Sequence, residues 1–261
     1  MFELLRARKN HGFQAIRDIG SAQLPSPFRG FPLLDEKCCT KDCGACAEVC
    51  PTHAIQLKPL QIDLGRCIFC GDCVHECLSG AIEFSSQYRL GNMSRDGLVI
   101  PSALTPEHYQ EEAIVARKEI RRLFGHSLKL RQVSAGGCNG CEMELAAAGN
   151  VNFDMGRFGF DFVASPRHAD GLVITGPISS NMAPALVDAY NSVSQPRLVI
   201  VVGACAISGG VFVESDQLHR SFLDNVAIDL FIPGCPTHPL TFINALLDLL
   251  DRKKNRTART S

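Results

Sequence analysis

The sequence predicts an α/β protein with two domains, a small cysteine-rich domain followed by a doubly wound, largely parallel sheet. Three observations predict this fold class. Nine of the 13 cysteines lie between residues 38 and 77. Within that region, residues 43–57 and 70–84 repeat each other at an offset of 27 residues. From residue 126 onward, short apolar runs alternate with helical patterns, as they do in parallel sheets.

The overall charge of the chain is close to zero. Its 261 residues include 26 Lys and Arg against 27 Asp and Glu. This balance provides no general attraction to nucleic acid or to an anionic membrane, so no nucleic-acid partner is predicted. No apolar run approaches the roughly 18 residues of a spanning helix, and no apolar segment follows residues 1–10 as in a secretion signal. We therefore predict a cytoplasmic protein, in which so many cysteines indicate metal or redox work rather than disulfide bonds.

The first 85 residues are predicted to form an arm and the cysteine-rich domain. Residues 1–36 make the arm, a short helix and then an extended, proline-interrupted segment that contributes little to the core. Residues 37–85 make the domain, in which each half of the repeat has a cysteine-rich turn, a short helix and an apolar pair that can begin a strand, Ala54-Ile55 or Ala81-Ile82. So small a unit has little core without bound metal.

A linker and a helix are predicted over residues 86–125. Gly91, Gly97 and Pro101 interrupt residues 86–104, which is typical of a linker. Thr105-Pro106-Glu107 then supplies a helix start, and the helix is expected to run to about Phe124.

The second domain covers residues 126–251. Apolar runs predict strands at Leu128 to Val133, Phe160 to Ala164, Leu172 to Thr175, Leu198 to Val202 and Ile228 to Ile232. Helices fit between them at Glu142 to Ala148, Met182 to Ser192, Ser215 to Leu223 and Pro239 to Leu250. Such sheets place their sites at the carboxyl ends of the strands. Residues 252–261 form a basic tail that is predicted to be disordered.

The run Cys67-x2-Cys70-x2-Cys73-x3-Cys77 is the strongest chemical signal. It has the spacing of a ferredoxin motif, in which three cysteines hold one 4Fe-4S cluster and the fourth reaches across to a second cluster. Zinc is the alternative, and with it a regulatory or interaction protein. Zinc sites, however, use C-x2-C pairs separated by a longer loop rather than an uninterrupted triple.

The first copy of the motif is displaced by one residue. It reads Cys39-x3-Cys43-x2-Cys46-x3-Cys50, and the position expected for the first ligand is Thr40. Either Cys39 or Cys38 must substitute, and Cys39 needs the smaller distortion. Cluster 1 is then expected at Cys39, Cys43, Cys46 and Cys77, and cluster 2 at Cys67, Cys70, Cys73 and Cys50. A three-iron cluster, or none, at the first site is the alternative.

Four cysteines of the second domain follow its predicted strands. Cys138 and Cys141 come after the first strand, Cys205 after the fourth and Cys235 after the last. Glycines beside them allow tight turns and close approach of the backbone to a bulky group. These four can bind a third 4Fe-4S cluster, unless Cys205 or Cys235 is simply a small buried apolar residue.

The motifs SAGGCNGCE, SPRHAD, GPISSNM, GACAISGG and PGCPTHP occur within residues 134–247. This region resembles the small subunit of membrane-associated, energy-converting nickel–iron hydrogenases, a family that includes formate hydrogenlyase and is homologous to the cluster-bearing subunit of complex I. Residues 1–85, with FRGFP and CIFCGDC, resemble the two-cluster ferredoxin subunit of the same complexes. The spaced pair Cys138 and Cys141 favours the hydrogenase branch, because the complex I branch carries adjacent cysteines there.

The resemblance implies a fusion of two electron-transfer subunits, a two-cluster ferredoxin-like domain and a flavodoxin-like sheet domain. It implies that the cysteines of the second domain hold the proximal 4Fe-4S cluster, and that three clusters relay electrons to or from the active site of a large nickel–iron subunit. No catalytic residue and no nickel ligand are expected in this chain. Glu142, beside a ligand, is a candidate for a proton route or for support of the ligands. His53, His75 and His238 are expected to be exposed.

The implied partners are the large subunit, membrane-arm subunits and an upstream electron donor or acceptor. The implied location is peripheral, on the cytoplasmic face of the inner membrane. The alternative is the same arrangement of clusters in a quinone-reducing, complex I-like complex or a nickel-free relative of the hydrogenases.

Overall fold

A computed structural model describes residues 2–39, 43–115 and 118–251. The basic tail, for which disorder is predicted, and Thr40 lie outside the described residues. In the part that is described, no helix has both the length and the apolar character needed to cross a membrane. The predicted α/β fold class is confirmed, since the chain combines a five-stranded parallel sheet with small antiparallel sheets around the cysteine motifs.

The N-terminal half of the chain contains ten short elements. They are α1 (Phe2–His11), β1 (Pro32–Leu34), α2 (Ala45–Glu48), β2 (Ile55–Leu57), β3 (Leu60–Asp63), α3 (Asp72–Glu76), β4 (Ile82–Phe84), β5 (Val99–Pro101), α4 (Pro106–Glu112) and α5 (Lys118–Phe124). Both halves of the repeat give a short helix and then a strand, α2 with β2 and α3 with β4, as the sequence predicts. Strands β1 and β4 pair antiparallel, and β2, β3 and β5 form a second antiparallel sheet.

The arm contributes more to the core than the sequence predicts. Ile19 and Phe31 are fully buried and belong to the same apolar cluster as the parallel sheet. The backbone carbonyl of Ile19 accepts hydrogen bonds from the Tyr88 hydroxyl and from Asn244, both at 2.8 Å. Sequence patterns do not reveal this packing, because it joins residues more than 60 positions apart.

Residues 86–104 are not the linker that their glycines and proline indicate. Strand β5 adds to the edge of β3, with Ile100 fully buried opposite Ile62. Asn92 pairs with Phe231 of the second domain through two backbone hydrogen bonds of 2.8 and 2.9 Å. The glycines therefore mark turns within a packed segment.

The single helix expected from Thr105 to about Phe124 is instead two helices, α4 and α5. Thr105 caps α4 as expected, its hydroxyl accepting from the backbone N–H of His108 at 3.3 Å. The chain then leaves the helix at Ala113, whose carbonyl accepts from the Met93 backbone N–H, and Ile114 is buried. Burial of this apolar turn replaces the helical hydrogen bonds that would have continued α4.

The second domain is built on a parallel sheet with strand order β10-β9-β8-β6-β7. Its elements are β6 (Leu128–Ser134), α6 (Gly140–Ala147), β7 (Phe160–Phe162), β8 (Gly171–Thr175), α7 (Ala183–Ser192), β9 (Leu198–Val202), α8 (Ala204–Ser208), α9 (Ser221–Asp224), β10 (Leu230–Ile232) and α10 (Pro239–Leu249). All five predicted strands are present, with β7 and β10 shorter than expected. The helix expected over 215–223 is only the short α9, since residues 216 and 217 form a turn and Leu218 forms an isolated antiparallel bridge with Ser179.

The two domains pack closely on each other. A Cβ added to Gly65 would lie 2.7 Å from the Ile207 side chain of α8, which leaves room there only for glycine. Helix α10 is buried along its whole length, and its Asp248 forms an ion pair of 3.0 Å with Arg89. One continuous apolar core therefore extends from the arm to the parallel sheet.

Candidate metal centres

The structure brings the four cysteines predicted for cluster 1 into one neighbourhood, called here the first set. The thiol of Cys46 lies close enough to Cys77, Cys39 and Cys43 for their charges to interact. Cys39 interacts in the same way with Cys77 and Cys43. Cys46 is buried, whereas Cys39 and Cys43 are exposed, so this set lies at the protein surface.

The four cysteines predicted for cluster 2 also lie together, and they form the second set. Cys50, Cys67, Cys70 and Cys73 all line one small cavity, together with apolar side chains. Burial raises the pKa of the Cys67 thiol far above its usual value and that of Cys73 to about 11. These thiols are therefore protonated at neutral pH unless a metal binds them.

In each half of the repeat, an equivalent backbone N–H donates a hydrogen bond to the sulfur of the fourth cysteine. The Ala54 backbone N–H donates to the Cys50 sulfur at 3.3 Å, and the Ala81 backbone N–H donates to the Cys77 sulfur at 3.2 Å. Burial raises the pKa of Cys77, but hydrogen bonds from Ser79 and the following amides outweigh it and lower the pKa overall. N–H donors aimed at sulfur suit thiolate ligands of a 4Fe-4S cluster, so the residues fit that group.

Cys38 and Cys39 differ in their surroundings. The Cys38 thiol donates to the Asp35 carboxylate at 3.4 Å, and this hydrogen bond raises its pKa. Cys38 also interacts with Cys77, whereas Cys39 interacts with both Cys77 and Cys43. The geometry therefore supports the choice of Cys39, because a carboxylate hydrogen bond disfavours the thiolate that a metal requires.

This difference gives a direct test. We expect Cys38→Ser to retain all the iron of the wild-type protein, whereas Cys39→Ser loses part of it, because Cys39 interacts with both Cys43 and Cys77 while the Cys38 thiol is hydrogen-bonded to Asp35. Iron per chain, measured by mass spectrometry on anaerobically purified protein, distinguishes the two residues. Iron loss from Cys38→Ser with full retention in Cys39→Ser would show that the choice is wrong.

The cysteines of the second domain form the third set, at the carboxyl ends of strands β6, β9 and β10. Cys141 and Cys205 are partly buried, and burial raises the pKa of each thiol to about 11. Cys141 interacts with Cys235 and Cys205, and Cys205 interacts with Cys235 and Cys138. Gly203, with a φ of 88°, approaches this set so closely that an added Cβ would lie 2.6 Å from the Cys141 sulfur. The predicted turn glycines thus make room for the ligands.

The second set lies near both of the other sets. Cys46 of the first set interacts with Cys73 of the second. Across the domain junction, Cys70 of the second set interacts with Cys235 of the third. A cavity of about 170 Å³ lies at this junction and is lined by Phe69, next to Cys70, and by Cys235. The second set is therefore a neighbour of both the first and the third.

Several residues near these sets were not found from the sequence. Arg29 donates to the Phe69 carbonyl at 3.3 Å and lies over Gly71, beside Cys70. Arg220 donates to the Cys205 carbonyl at 3.1 Å. Neither forms a local motif with the cysteine it approaches, since each lies 15 or more positions away. The FRGFP motif includes Arg29 but gives it no role.

The three histidines near the cysteine motifs, all expected to be exposed, divide into two groups. His53 and His75 are exposed, as expected. The expectation for His238 is wrong, because its ring is partly buried between the rings of Phe28 and Phe153. Its Nδ1 accepts from the Leu240 backbone N–H at 3.2 Å and so caps α10. Burial lowers the pKa of His238 to about 4, so it is neutral at pH 7.

Glu142 follows Cys141 in the first turn of α6. Its carboxylate accepts a 2.6 Å hydrogen bond from the hydroxyl of Thr175, which is fully buried at the end of β8. This bond ties the start of α6 to the central strand. It supports a role in holding Cys141, while the proton route stays a prediction.

In the described ranges, no three Cys, His, Asp or Glu side chains converge closely enough to hold a single metal ion. A 4Fe-4S cluster takes its four thiolates on four different irons, so its ligands need not converge in this way.

Two family models match the chain. "NADH ubiquinone oxidoreductase, 20 Kd subunit" matches residues 138–249, and "4Fe-4S dicluster domain" matches residues 37–81. The second match supports the iron–sulfur interpretation of the cysteine-rich domain.

Curated relatives include subunits of two kinds of complex. The chain is 34% identical to the probable membrane-bound hydrogenase subunit mbhJ of Pyrococcus furiosus over 51% of its own length and 80% of the relative's. It is 34% identical to formate hydrogenlyase subunit 7 of Escherichia coli over 63% of its own length and 64% of the relative's. It is 42% identical to an NADH-quinone oxidoreductase subunit of a Roseiflexus species, over 42% of its own length but only 41% of the relative's.

Among solved structures, a chain of the membrane-bound sulfane sulfur reductase, an archaeal respiratory membrane complex, aligns with a TM-score of 0.45 at 23% identity. The alignment covers 52% of this chain and 76% of the other.

Proposed function

Because the chain belongs to the 20 kDa-subunit family of NADH ubiquinone oxidoreductase and carries a 4Fe-4S dicluster domain, we propose that it is an electron-transfer subunit of a membrane-associated nickel–iron hydrogenase complex. It holds three 4Fe-4S clusters, one in each cysteine set, and relays electrons to or from the active site of a large partner subunit.

The observation that supports this proposal is that the second set lies near both the first and the third. Cys46 is near enough to Cys73, and Cys70 near enough to Cys235, for their charges to interact, so the second set is close to both of the others. The first set is exposed and can meet a donor or acceptor. The third set lies at the sheet edge with Cys138 and Cys235 exposed, where a large subunit can cover it.

The residues of the chain bind, insulate and orient the redox groups. A 4Fe-4S cluster, when bound, takes up and releases one electron at a time. The thiols of each set supply its four ligands, and the N–H groups of Ala54 and Ala81 hydrogen-bond ligand sulfurs, which tunes the reduction potential. Apolar side chains around the second set exclude water from it.

The partners follow from the same proposal. They are a large nickel–iron hydrogenase-like subunit, membrane-arm subunits and an upstream electron donor or acceptor, on the cytoplasmic face of the inner membrane. The nickel ligands belong to the large subunit. An exposed apolar segment, Val211, Phe212 and Val213, follows α8, which carries Cys205, and supports a partner subunit there.

A quinone-reducing complex is the second candidate function. It is favoured by the identity of 42% to the NADH-quinone oxidoreductase relative from Roseiflexus. The two-residue spacing between Cys138 and Cys141 favours the hydrogenase instead.

Metal content of the anaerobically purified native complex tests the proposal. We expect about twelve irons from this chain, four for each set of four cysteines, and nickel in the complex. Abundant iron without nickel would overturn the hydrogenase assignment and support the quinone-reducing complex. Zinc in place of iron would overturn both.

A further inference from the structure

Arg220 makes an unusual set of contacts beside the third set. Its guanidinium donates four hydrogen bonds, all to backbone carbonyls. The acceptors are Pro177 at 3.1 Å, Cys205 at 3.1 Å, Ala206 at 2.8 Å and Ile207 at 3.0 Å. Arg220 thus joins the loop after β8 to the last turn of α8, the helix that carries Cys205.

These contacts add donors to the carbonyls at the end of α8, of which that of Cys205 also accepts from the Gly209 backbone N–H at 2.8 Å. The last carbonyls of a helix have no partner within it and carry a partial negative charge. Helix α8 is only five residues long, and its last turn includes the carbonyl of a predicted cluster ligand. The planar fork of arginine spreads five N–H donors over three nitrogens and can reach carbonyls on both sides of it, whereas lysine has three donors on a single nitrogen.

The positive charge of Arg220 is not cancelled by a close carboxylate. Among the described residues, Arg220 makes no ion pair within 4.0 Å. Asp224, an exposed residue, interacts with it only from a longer distance. The neighbouring cation Arg95 is paired with Asp63 at 2.6 Å, so Arg220 remains the net positive charge at this position.

We propose that Arg220 is a positioning residue for the third set, whose charge raises the reduction potential of the cluster bound there. This inference rests on the proposed binding of a 4Fe-4S cluster by Cys138, Cys141, Cys205 and Cys235. Reduction adds a negative charge to a cluster, and a fixed positive charge nearby, partly shielded from water, favours that reduced state.

The test is a redox titration of the full chain, monitored by electron paramagnetic resonance. Arg220→Gln removes the charge, and Arg220→Lys keeps it. We expect Arg220→Gln to lower the reduction equilibrium constant of the third cluster about tenfold, equivalent to about 59 mV for one electron. Arg220→Lys should shift it by far less, and the other two clusters should be unchanged in both variants.

Arg197→Gln is the matched control. Arg197 also donates to the carbonyls at a helix end, those of Tyr190 and Val193, both at 2.9 Å. Arg197 comes just before β9, at the amino end of the strand, whereas Cys205 follows its carboxyl end. A strand of five residues separates the two by about 17 Å. Its replacement should leave all three potentials unchanged.

Each outcome decides the proposal. A third-cluster potential that is unchanged in Arg220→Gln, or lowered equally in Arg220→Lys, would overturn the role of its charge. If Arg220→Gln fails to fold, Arg220→Met decides instead, because it removes the charge while keeping an unbranched side chain, and an unchanged or higher potential would overturn the proposal. Absence of a third cluster from the wild-type protein would overturn the proposed cluster site itself.

Discussion

Removal of iron from the purified protein will unfold residues 37–85 while the five-stranded sheet keeps its structure. Among the described residues, the apolar cluster around the cysteine motifs contains eight buried residues, and three of them are predicted ligands, Cys46, Cys67 and Cys73. Without metal, so small a core cannot offset the conformational entropy of the folded chain. The parallel sheet has a much larger core of its own.

Burial adds to this effect of iron removal. It raises the pKa of Cys67 and Cys73, so both thiols take up protons when iron leaves, and iron must displace those protons when it returns. Iron binding is therefore expected to weaken as the pH falls. Iron affinity falls at low pH because a proton and an iron compete for the same sulfur.

Hydrogen exchange of the iron-loaded and iron-free protein measures the expected unfolding. Amides of β2, β3 and β4 should lose protection after chelation under reducing conditions, while amides of β8 and β9 retain theirs. Equal protection of β3 before and after chelation would contradict the prediction. Loss of protection in β8 would show that the two domains unfold together.

Replacement of Cys141 by alanine will remove one third of the iron and stop electron transfer through the chain. Cys141 is the proposed ligand whose sulfur lies close to Gly203, within the third set. Its loss leaves three thiols for a group that binds four. The first and second sets lie in the other domain and should keep their clusters, so that about eight of twelve irons remain.

Iron content, electron paramagnetic resonance and activity of the whole complex test this prediction. The spectrum should lose one signal and keep two, and hydrogen-linked or quinone-linked turnover should fall to background. Cys38→Ala is the control, since Cys38 is a cysteine that is not assigned to any of the three sets and whose thiol donates a hydrogen bond to Asp35. Full turnover in Cys141→Ala would contradict a relay through the third set.

Much of the fold could be predicted because its signals are local. The repeat places Ile55 and Ile82 at strand starts, and the apolar run Leu198 to Val202 forms β9 at the predicted position. The cysteine spacing likewise predicts which thiols of the first domain lie together.

The remaining features depend on contacts between distant parts of the chain. The glycines of residues 86–104 resemble a linker because the pairing of Asn92 with Phe231 leaves no mark on the local pattern. His238 is buried by Phe28 and Phe153, which lie far from it in the sequence. Arg220 and Arg29 approach cysteines of other segments, so their positions follow only from the folded structure.

The close contact of Gly65 with Ile207 has a consequence for kinetics. Two separate carriers must collide before an electron can pass, and their rate depends on concentration and on solvent viscosity. Here the second and third sets belong to one chain whose two parts pack directly on each other, with Gly65 against Ile207. The step between them is therefore intramolecular, and its rate should be the same in dilute buffer, in viscous glycerol and in the crowded cell.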